Sequence, residues 1–218
     1  VIMAKPLTEG PEAVEAVWPL TAAARERLTR YVALLASWQA AKNLVAPSTL
    51  PVVWSRHVAD SAQALAAVPD AKRWLDIGSG AGFPGLVTAS LLAETPGAKV
   101  TLVEANGRKV AFLRTVIREL GLPATVLAER IERLAGSAGA GIGPVDAVSA
   151  RALAPLGALY GYAAPWLTTG SVGVFHKGQD FGSEVNETSQ SWTADLVERQ
   201  SRIDPGGRIV VVRDLKPR

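Results

Sequence analysis

The sequence predicts an α/β protein with a mostly parallel central sheet and an N-terminal helical extension. Three observations predict it. From residue 74 onward, short apolar runs of strand length alternate with stretches of helical periodicity; a glycine-rich turn follows the first of these runs; and charged residues stand at the ends of several strands. Such alternation calls for parallel strands joined by right-handed crossovers, with helices covering both faces of the sheet. Residues 1–70 are expected to form the helical extension and residues 71–218 the sheet domain. No repeat, low-complexity segment or linker separates the two.

Val1 and Ile2 stand ahead of Met3, the only methionine, and are set aside as an expression remnant or an upstream start. The stretch up to Pro19 is rich in Pro and Glu and is expected to be ordered only where it docks. A helix is indicated from Thr21, with Leu28, Tyr31, Val32, Leu35 and Trp38 on one stripe and Arg25, Arg27 and Arg30 elsewhere on its surface. Asn43 to Ser48 breaks it. A second helix is expected from near Thr49 to about Val68, with Pro51 tolerated in its first turn. Its buried stripe is Trp54, Val58, Ala62 and Leu65, while His57, Asp60 and Ser61 lie at i, i+3 and i+4 on an adjoining face. Trp74 to Ile77 is the first strand, and Leu86 to Leu92 the helix after the glycine turn. Lys99 to Glu104 is the second strand, followed by a helix from Arg108 to Leu120 that Gly121 stops. Ala124 to Ala128 is the third strand, with a helical turn at Arg130 to Leu134. Gly136 to Gly143 carries few large apolar side chains and is expected to be a mobile surface loop. Val145 to Ser149 makes a fourth strand that ends at Ala150-Arg151. A helix near Leu156 to Trp166, a strand from Val172 to His176, a polar helix from about Gly182 to Val197 and a last strand from Ile209 to Val212 complete the chain.

The glycine turn runs Gly78-Ser79-Gly80-Ala81-Gly82-Phe83-Pro84-Gly85. Its glycines permit positive φ and close approach of a ligand to the backbone, so a nucleoside is expected to lie across it. The spacing Gly80-x-Gly82-x-x-Gly85 also fits a dinucleotide fingerprint, in which a helix N-terminus faces a pyrophosphate. Asp76, two residues before the first glycine, argues against that ligand. A carboxylate there suits positive charge, such as the sulfonium and α-ammonium of S-adenosylmethionine. Glu104, twenty-two residues beyond Gly82, is placed to accept hydrogen bonds from ribose hydroxyls in either cofactor, so Asp76 is the discriminating residue. Ligands of such sheets bind beyond the carboxyl ends of the strands. Asp76, Gly78, Glu104, Arg151 and Lys177 are therefore expected to converge on one crevice.

Composition narrows the remaining classes. At 48% hydrophobic and 20% charged, the chain is not of disordered composition. It has no cysteine, which excludes disulfides, thiolate metal sites and cysteine nucleophiles, and its two histidines speak against a histidine-rich centre, so no metal is expected. No apolar run approaches the ~20 residues of a membrane span and no charged-then-apolar leader opens the chain, so a cytoplasmic protein without membrane contact is expected. A pI of about 9.4 permits a polyanionic partner. The charge is nevertheless spread evenly: residues 1–70 hold six basic and six acidic side chains, 71–150 nine and seven, 151–218 eight and seven. Any nucleic-acid contact must come from a folded patch. Nothing in the apolar stripes demands a dimer, and a monomer is expected.

Leu75 to Gly85, Arg56-His57-x-x-Asp60-Ser61, Lys109-x-x-Phe112-Leu113, Ser149-Ala150-Arg151-Ala152 and Lys177-Gly178 together resemble the bacterial ribosomal small-subunit RNA guanine-N7 methyltransferases, the glucose-inhibited division protein B family. The resemblance runs from about Leu28 to Val212. It implies a Rossmann-like class I S-adenosylmethionine-dependent methyltransferase fold, with residues 71–218 as the methyltransferase domain and 1–70 as a platform. It also implies transfer to N7 of a guanine in 16S ribosomal RNA, as free RNA or in a ribosomal particle. Carried over by the resemblance, Gly78 and Phe83 contact the cofactor, Ile131 and Glu132 flank its adenine, and Arg151 completes the pocket. With Asp76, Gly80, Gly82 and Glu104 these make the expected cofactor set. Lys42 and Val45 depart from the family, which tends to carry an aromatic and a threonine there.

Guanine N7 has no proton and an in-plane lone pair, so methyl transfer to it needs alignment and exclusion of water but no general base. That matches a site poor in histidine. Methyltransferases acting on exocyclic amino groups typically carry an Asn- or Asp-Pro-Pro-aromatic motif after the fourth strand, where this chain has Ser149-Ala150-Arg151-Ala152. Arg151 offers five fixed donors for a carboxylate, a phosphate or guanine O6. Arg151 and Lys177 are thus the candidate positioning groups at the reacting centre, Lys177 steering RNA phosphate or being a plain surface lysine. Arg56, His57 and Asp60 are candidate RNA-facing residues, and His57 and Asp60 are expected to hydrogen bond each other across a helical turn and brace the platform. Arg25, Arg27 and Arg30 either extend the RNA footprint or are solvated helix charges. Other classes stay open: a nicotinamide-dependent oxidoreductase, a non-enzymatic ribosome-binding protein, and, as runner-up, a methyltransferase acting on a protein or small molecule.

Overall fold

The computed structural model describes residues 8–218 except Ala138 and Ala140; the side chains of Ala40, Ala41 and Lys42 also fall outside the description. The readings placed on residues 1–3 and on the Lys42 side chain therefore lie outside the described residues. In chain order the elements are α1 (Glu12–Glu15), α2 (Ala22–Lys42), a 3₁₀ turn (Pro47–Thr49), a π-helical turn (Trp54–Ala59), α3 (Asp60–Ala67), β1 (Arg73–Ile77), α4 (Gly85–Leu91), β2 (Lys99–Val103), α5 (Gly107–Leu120), β3 (Ala124–Leu127), α6 (Ile131–Gly136), β4 (Ala147–Arg151), α7 (Leu156–Leu167), β5 (Val172–Lys177), α8 (Phe181–Thr188), β6 (Trp192–Gln200) and β7 (Arg208–Pro217).

The strands form one seven-stranded sheet in the order β3-β2-β1-β4-β5-β7-β6. The first five run parallel, and β7 and β6 join antiparallel at one edge. Strand periodicity divides the core in two. Trp74, Val100, Leu102, Ala147, Val174 and Val211 pack toward α2 to α5. Leu75, Val103, Val148, Phe175, Val210 and Val212 pack toward α6 to α8. Asp76 continues the Trp74 row toward α4. Ser149 and Arg151 continue the Ala147 row toward the N-terminal helices, whereas Lys177 continues the Phe175 row to the opposite face.

Local chemistry sets the helix ends. Thr21 caps α2 by accepting from the Ala24 N–H at 3.1 Å, and Asn43 ends it in the left-handed conformation. Asn106 caps α5, and Gly121 closes it at φ +59°. Two elements differ from expectation. The helix expected from Thr49 is interrupted: a 3₁₀ turn and the turn at Pro51 come first, and the regular hydrogen-bond ladder begins only after the π-helical turn. The polar helix expected over Gly182 to Val197 stops at Thr188, and β6 follows. Trp192, Ala194 and Leu196 are half-buried with exposed residues between them, a period of two that a helix would not bury. In the glycine-rich segment after α6, Gly139 is buried against Trp166 and Ile142 packs on the α7-side core.

Tyr31 ties the helical extension to the sheet domain. Fully buried on α2, it donates its hydroxyl to the Ala81 carbonyl at 2.6 Å, inside the glycine turn. Tyr31→Phe strands that carbonyl and is expected to cost about 1–2 kcal/mol, read as a lower urea midpoint with an unchanged slope; an unchanged midpoint would mean that the bond does not tie the turn to α2.

Candidate active site

The glycine turn is held from below and from the side. Asp76 is fully buried, and its carboxylate accepts from the Gly85 N–H at 3.2 Å and the Ser149 hydroxyl at 2.8 Å. A Cβ on Gly85 would lie 2.6 Å from the Asp76 carboxylate and 2.7 Å from Leu102, so glycine is required for this close approach. The expectation that the Asp76 carboxylate faces a bound cation is therefore corrected: it fixes the start of α4 and the end of β4. Burial pushes its carboxyl up to about 6, against the opposing pull of these hydrogen bonds.

Above the turn, Gly78, Gly80, Glu104, Ile131 and Glu132 come together around one cavity of about 300 Å³, with Lys109 and Arg130 at its rim. Glu104 lines this cavity and divides its carboxylate between the Gly80 and Asn106 N–H groups, each at 2.8 Å, which leaves each oxygen a further lone pair. A Cβ on Gly80 would meet nothing nearer than the Gly78 carbonyl at 3.9 Å, so the turn is open to a ligand here. An open backbone, an apolar wall at Ile131 and acceptors at Glu104 and Glu132 fit an adenosyl group carrying positive charge. Gly82 and Phe83 are not on this wall. Gly82, at φ +100°, lies against Leu86 and Tyr31, and Phe83 is 4% exposed.

Phe83 belongs to a second assembly, centred on Arg151. The His57 ring stacks on Phe83 at 5.0 Å, and the Arg151 guanidinium lies 5.2 Å from the Phe83 ring centre. The same guanidinium donates to Asp60 Oδ2 and the Arg56 carbonyl at 3.0 Å each and to His57 Nδ1 at 2.7 Å. His57 and Asp60 thus meet at Arg151, and the direct bond expected between them is replaced by this shared partner. The tautomer of His57 follows from its neighbours. Thr49 spends its hydroxyl proton on the Ala46 carbonyl, so Nε2–H donates to Thr49 Oγ1 at 2.7 Å and Nδ1 accepts from Arg151. Burial, and then the Arg151 cation, lower the His57 pKa to about 3.

Lys177 is neither a phosphate contact nor a surface lysine. Only 8% of its side chain is exposed, and its amine bonds Glu184 at 2.6 Å and the Ala154 carbonyl at 3.0 Å. Its place one residue past His176 on β5 turns it to the α8 face, away from Arg151. Arg56 is half exposed and pairs with Asp204 at 2.6 Å. Arg25, Arg27 and Arg30 are likewise engaged, with Glu15, Glu94 and the Glu119 carbonyl. Sequence reading missed Ala152, which touches both this assembly and the cavity over the glycine turn and takes φ +51°, a strained value for alanine. It also missed Asp204, although Asp204-Pro-Gly-Gly is a recognisable turn sequence.

Solved structures with this arrangement of sheet and helices include a cofactor-bound protein from MTB, Rv0187, with TM-score 0.58 and 16% identity over 87% of this chain and 90% of that one. Another is the O-methyltransferase TomG from Streptomyces achromogenes in complex with SAM, with TM-score 0.58 and 15% identity over 91% and 93% of the two chains. The fold is that of the class I S-adenosylmethionine-dependent methyltransferases. Within that class, residues 24–205 match the family described as rRNA small subunit methyltransferase G, and the chain belongs to it. Relatives named ribosomal RNA small subunit methyltransferase G include one from Bradyrhizobium sp. strain BTAi1, 46% identical over 97% of this chain and 94% of its own. One from Parvibaculum lavamentivorans is 48% identical over 94% and 92% of the two chains.

His57 and Asp76 oppose each other in acid. The unfolded His57 takes up a proton below its ordinary 6.5 while the folded one resists to about 3, so its contribution to stability is lost as pH falls through that window. Asp76, raised to about 6, contributes in the opposite sense: its folded form gains the proton first, and stability falls as pH rises from about 4 to 6. His57→Gln is expected to remove the first dependence alone, so that the wild-type urea midpoint falls relative to the variant between pH 6.5 and 4. A parallel pair of curves would show that His57 titrates normally in the folded protein.

Proposed function

We propose that this chain transfers the methyl group of S-adenosylmethionine to N7 of a guanine in small-subunit ribosomal RNA. The observation that carries the reading is membership, over residues 24–205, of a family described as small-subunit rRNA methyltransferases. The side chains agree with an acceptor that has no proton to lose. Both ring nitrogens of His57 are occupied, Asp60 is bonded to Arg151 and Gln63, and Lys177 is bonded to Glu184. The crevice therefore offers a fixed, stacked cation and a set of hydrogen bonds.

The cofactor supplies an electrophilic methyl on a sulfonium. The chain's part is to hold a base against it in line and to exclude water. In this reading Gly78, Gly80, Glu104, Ile131 and Glu132 hold the cofactor. Asp76, Gly82 and Phe83 shape the turn beneath it, and Arg151 is a positioning residue that keeps the helical platform closed over the reacting centre. Asp60 and His57 hold Arg151 in place, and Arg56 lies on the side from which RNA enters.

Labelled methyl transfer to small-subunit particles lacking the modification, followed by nucleoside analysis, tests the reading. Label in 7-methylguanosine is expected, and Glu104→Ala is expected to weaken cofactor binding and transfer by about tenfold or more through loss of acceptors at the ribose. Cofactor binding without label in RNA would overturn the assignment of the acceptor and leave the fold intact.

A further inference from the structure

Beside the cofactor cavity, and sharing Ala152 with it, lies a second cavity of about 260 Å³. Its near wall is the end of β4 with Arg151, His57 and Asp60. It then passes the end of β5 at Lys177 and Gly178 to a far wall of Asp204, Gly207 and Arg208, at the turn between β6 and β7. A base seated there with its reacting edge toward Ala152 presents the opposite corner of its ring system to that turn.

For guanine the opposite corner is distinctive. With N7 toward the cofactor, N1–H and the 2-amino group lie diagonally across the fused rings, and both are donors. Adenine has a bare acceptor at N1 and no group at C2. The wall facing that corner must therefore carry a pair of acceptors if guanine is to be chosen. Among the described residues this cavity has two carboxylates. Asp60 is on the near wall, with Oδ2 on Arg151 and Oδ1 on Gln63 at 3.0 Å each, and at 9% exposure it is buried among those partners. Asp204 is on the far wall, and its side chain is 38% exposed. Its Oδ1 accepts from the Gly206 N–H at 2.9 Å and its Oδ2 from Arg56 at 2.6 Å, which leaves each oxygen a free lone pair.

The turn that presents Asp204 is built to stay in place. Ser201 Oγ accepts from the Ile203 and Asp204 N–H groups at 3.1 Å each and from Gln63 Nε2 at 3.0 Å. Gln63 Oε1 accepts from the Arg202 N–H at 2.7 Å, and the Gly207 N–H closes the turn on the Asp204 carbonyl at 2.8 Å. Gln63 belongs to α3, the helix that also carries Asp60, so the far wall is braced by the same element that fixes the near wall. Hydrogen bonds from Arg56 and Gly206 hold the Asp204 carboxyl below the usual carboxylate range, and the acceptor pair is present at neutral pH.

We propose that Asp204 reads the Watson–Crick edge of the acceptor guanine, its two oxygens accepting from N1–H and the 2-amino group while N7 faces Ala152 and the cofactor cavity. The assignment rests on the guanine-N7 reading above. It gives Arg56 the task of aiming the carboxylate.

The test uses the full-length protein and an RNA acceptor in which the nucleotide that becomes labelled has been mapped and then replaced by inosine, which keeps N7, O6 and N1–H and lacks only the 2-amino group. Wild type is expected to lose roughly 10- to 100-fold in kcat/KM on the inosine acceptor. Asp204→Ala and Asp204→Asn are expected to be slower on guanine and to process the two acceptors within about threefold of each other, with S-adenosylhomocysteine affinity and urea midpoint near wild type. A residue that merely shapes the turn would lower both rates and leave their ratio unchanged. A wild-type ratio near one, or variants that keep the full wild-type ratio, overturns the role of Asp204 while guanine methylation stands. No 7-methylguanosine from wild type in the first place overturns the parent reading, and this assignment with it.

Discussion

The Arg151 guanidinium is the contact on which the rest of the site depends. It stands at the end of β4, the strand beside the switch point of the sheet, on the face that looks at the N-terminal helices. There it joins Asp60, His57, the Arg56 carbonyl and the Phe83 ring, that is, the platform helix and the glycine turn. A guanidinium with 16% of its side chain exposed needs such a complete set of partners, because an unpaired charge at that depth is strongly destabilising. Meeting that requirement brings the platform down onto the turn.

Two consequences follow from that closure. The glycine turn is held on one side by Tyr31, which bonds the Ala81 carbonyl and packs on the Phe83 ring, and beneath by Asp76, which bonds the Gly85 N–H. Ala152, the residue after Arg151, is carried into the left-handed region and forms the partition between the two cavities. Strain held at such a position is a common feature of functional sites. The cavity over the glycine turn lies at the ends of β1 to β3 and the second cavity at the ends of β4, β5 and β7, and Ala152 lines both.

Much of this was legible in the sequence. The stripe of α2, the glycine turn, the strand-ending acid at Glu104 and the alternation of strands and helices all follow from local periodicity and glycine chemistry, and the motifs together carry the resemblance to the family. What the sequence hid depends on which way a side chain turns once its strand is paired. The sequence predicts an Asp76 that faces the ligand, but two-residue periodicity from buried Trp74 sends it down into the start of α4. Both Arg151 and Lys177 end strands, which predicts that they share one crevice, yet the register that pairs Arg151 with His176 puts Lys177 on the opposite face. Strand β6 was hidden because its outer residues are polar and its apolar ones are widely spaced, a pattern that an edge strand and a solvated helix share. Asp204 lies beyond it, and without the β6–β7 hairpin nothing brings that turn back to the site.

The most direct test of this account is a double-mutant cycle on Arg151 and Asp60, using Arg151→Met, Asp60→Asn and the pair, with urea stability and S-adenosylhomocysteine affinity measured for each. If the guanidinium is held by the platform as described, each single change costs about 3 kcal/mol or more, the pair costs less than the sum by about 2 kcal/mol, and cofactor affinity falls in step. Costs that add to within about 0.5 kcal/mol would contradict the account. They would leave Arg151 as a free cation whose role lies with the RNA rather than with the fold of the site.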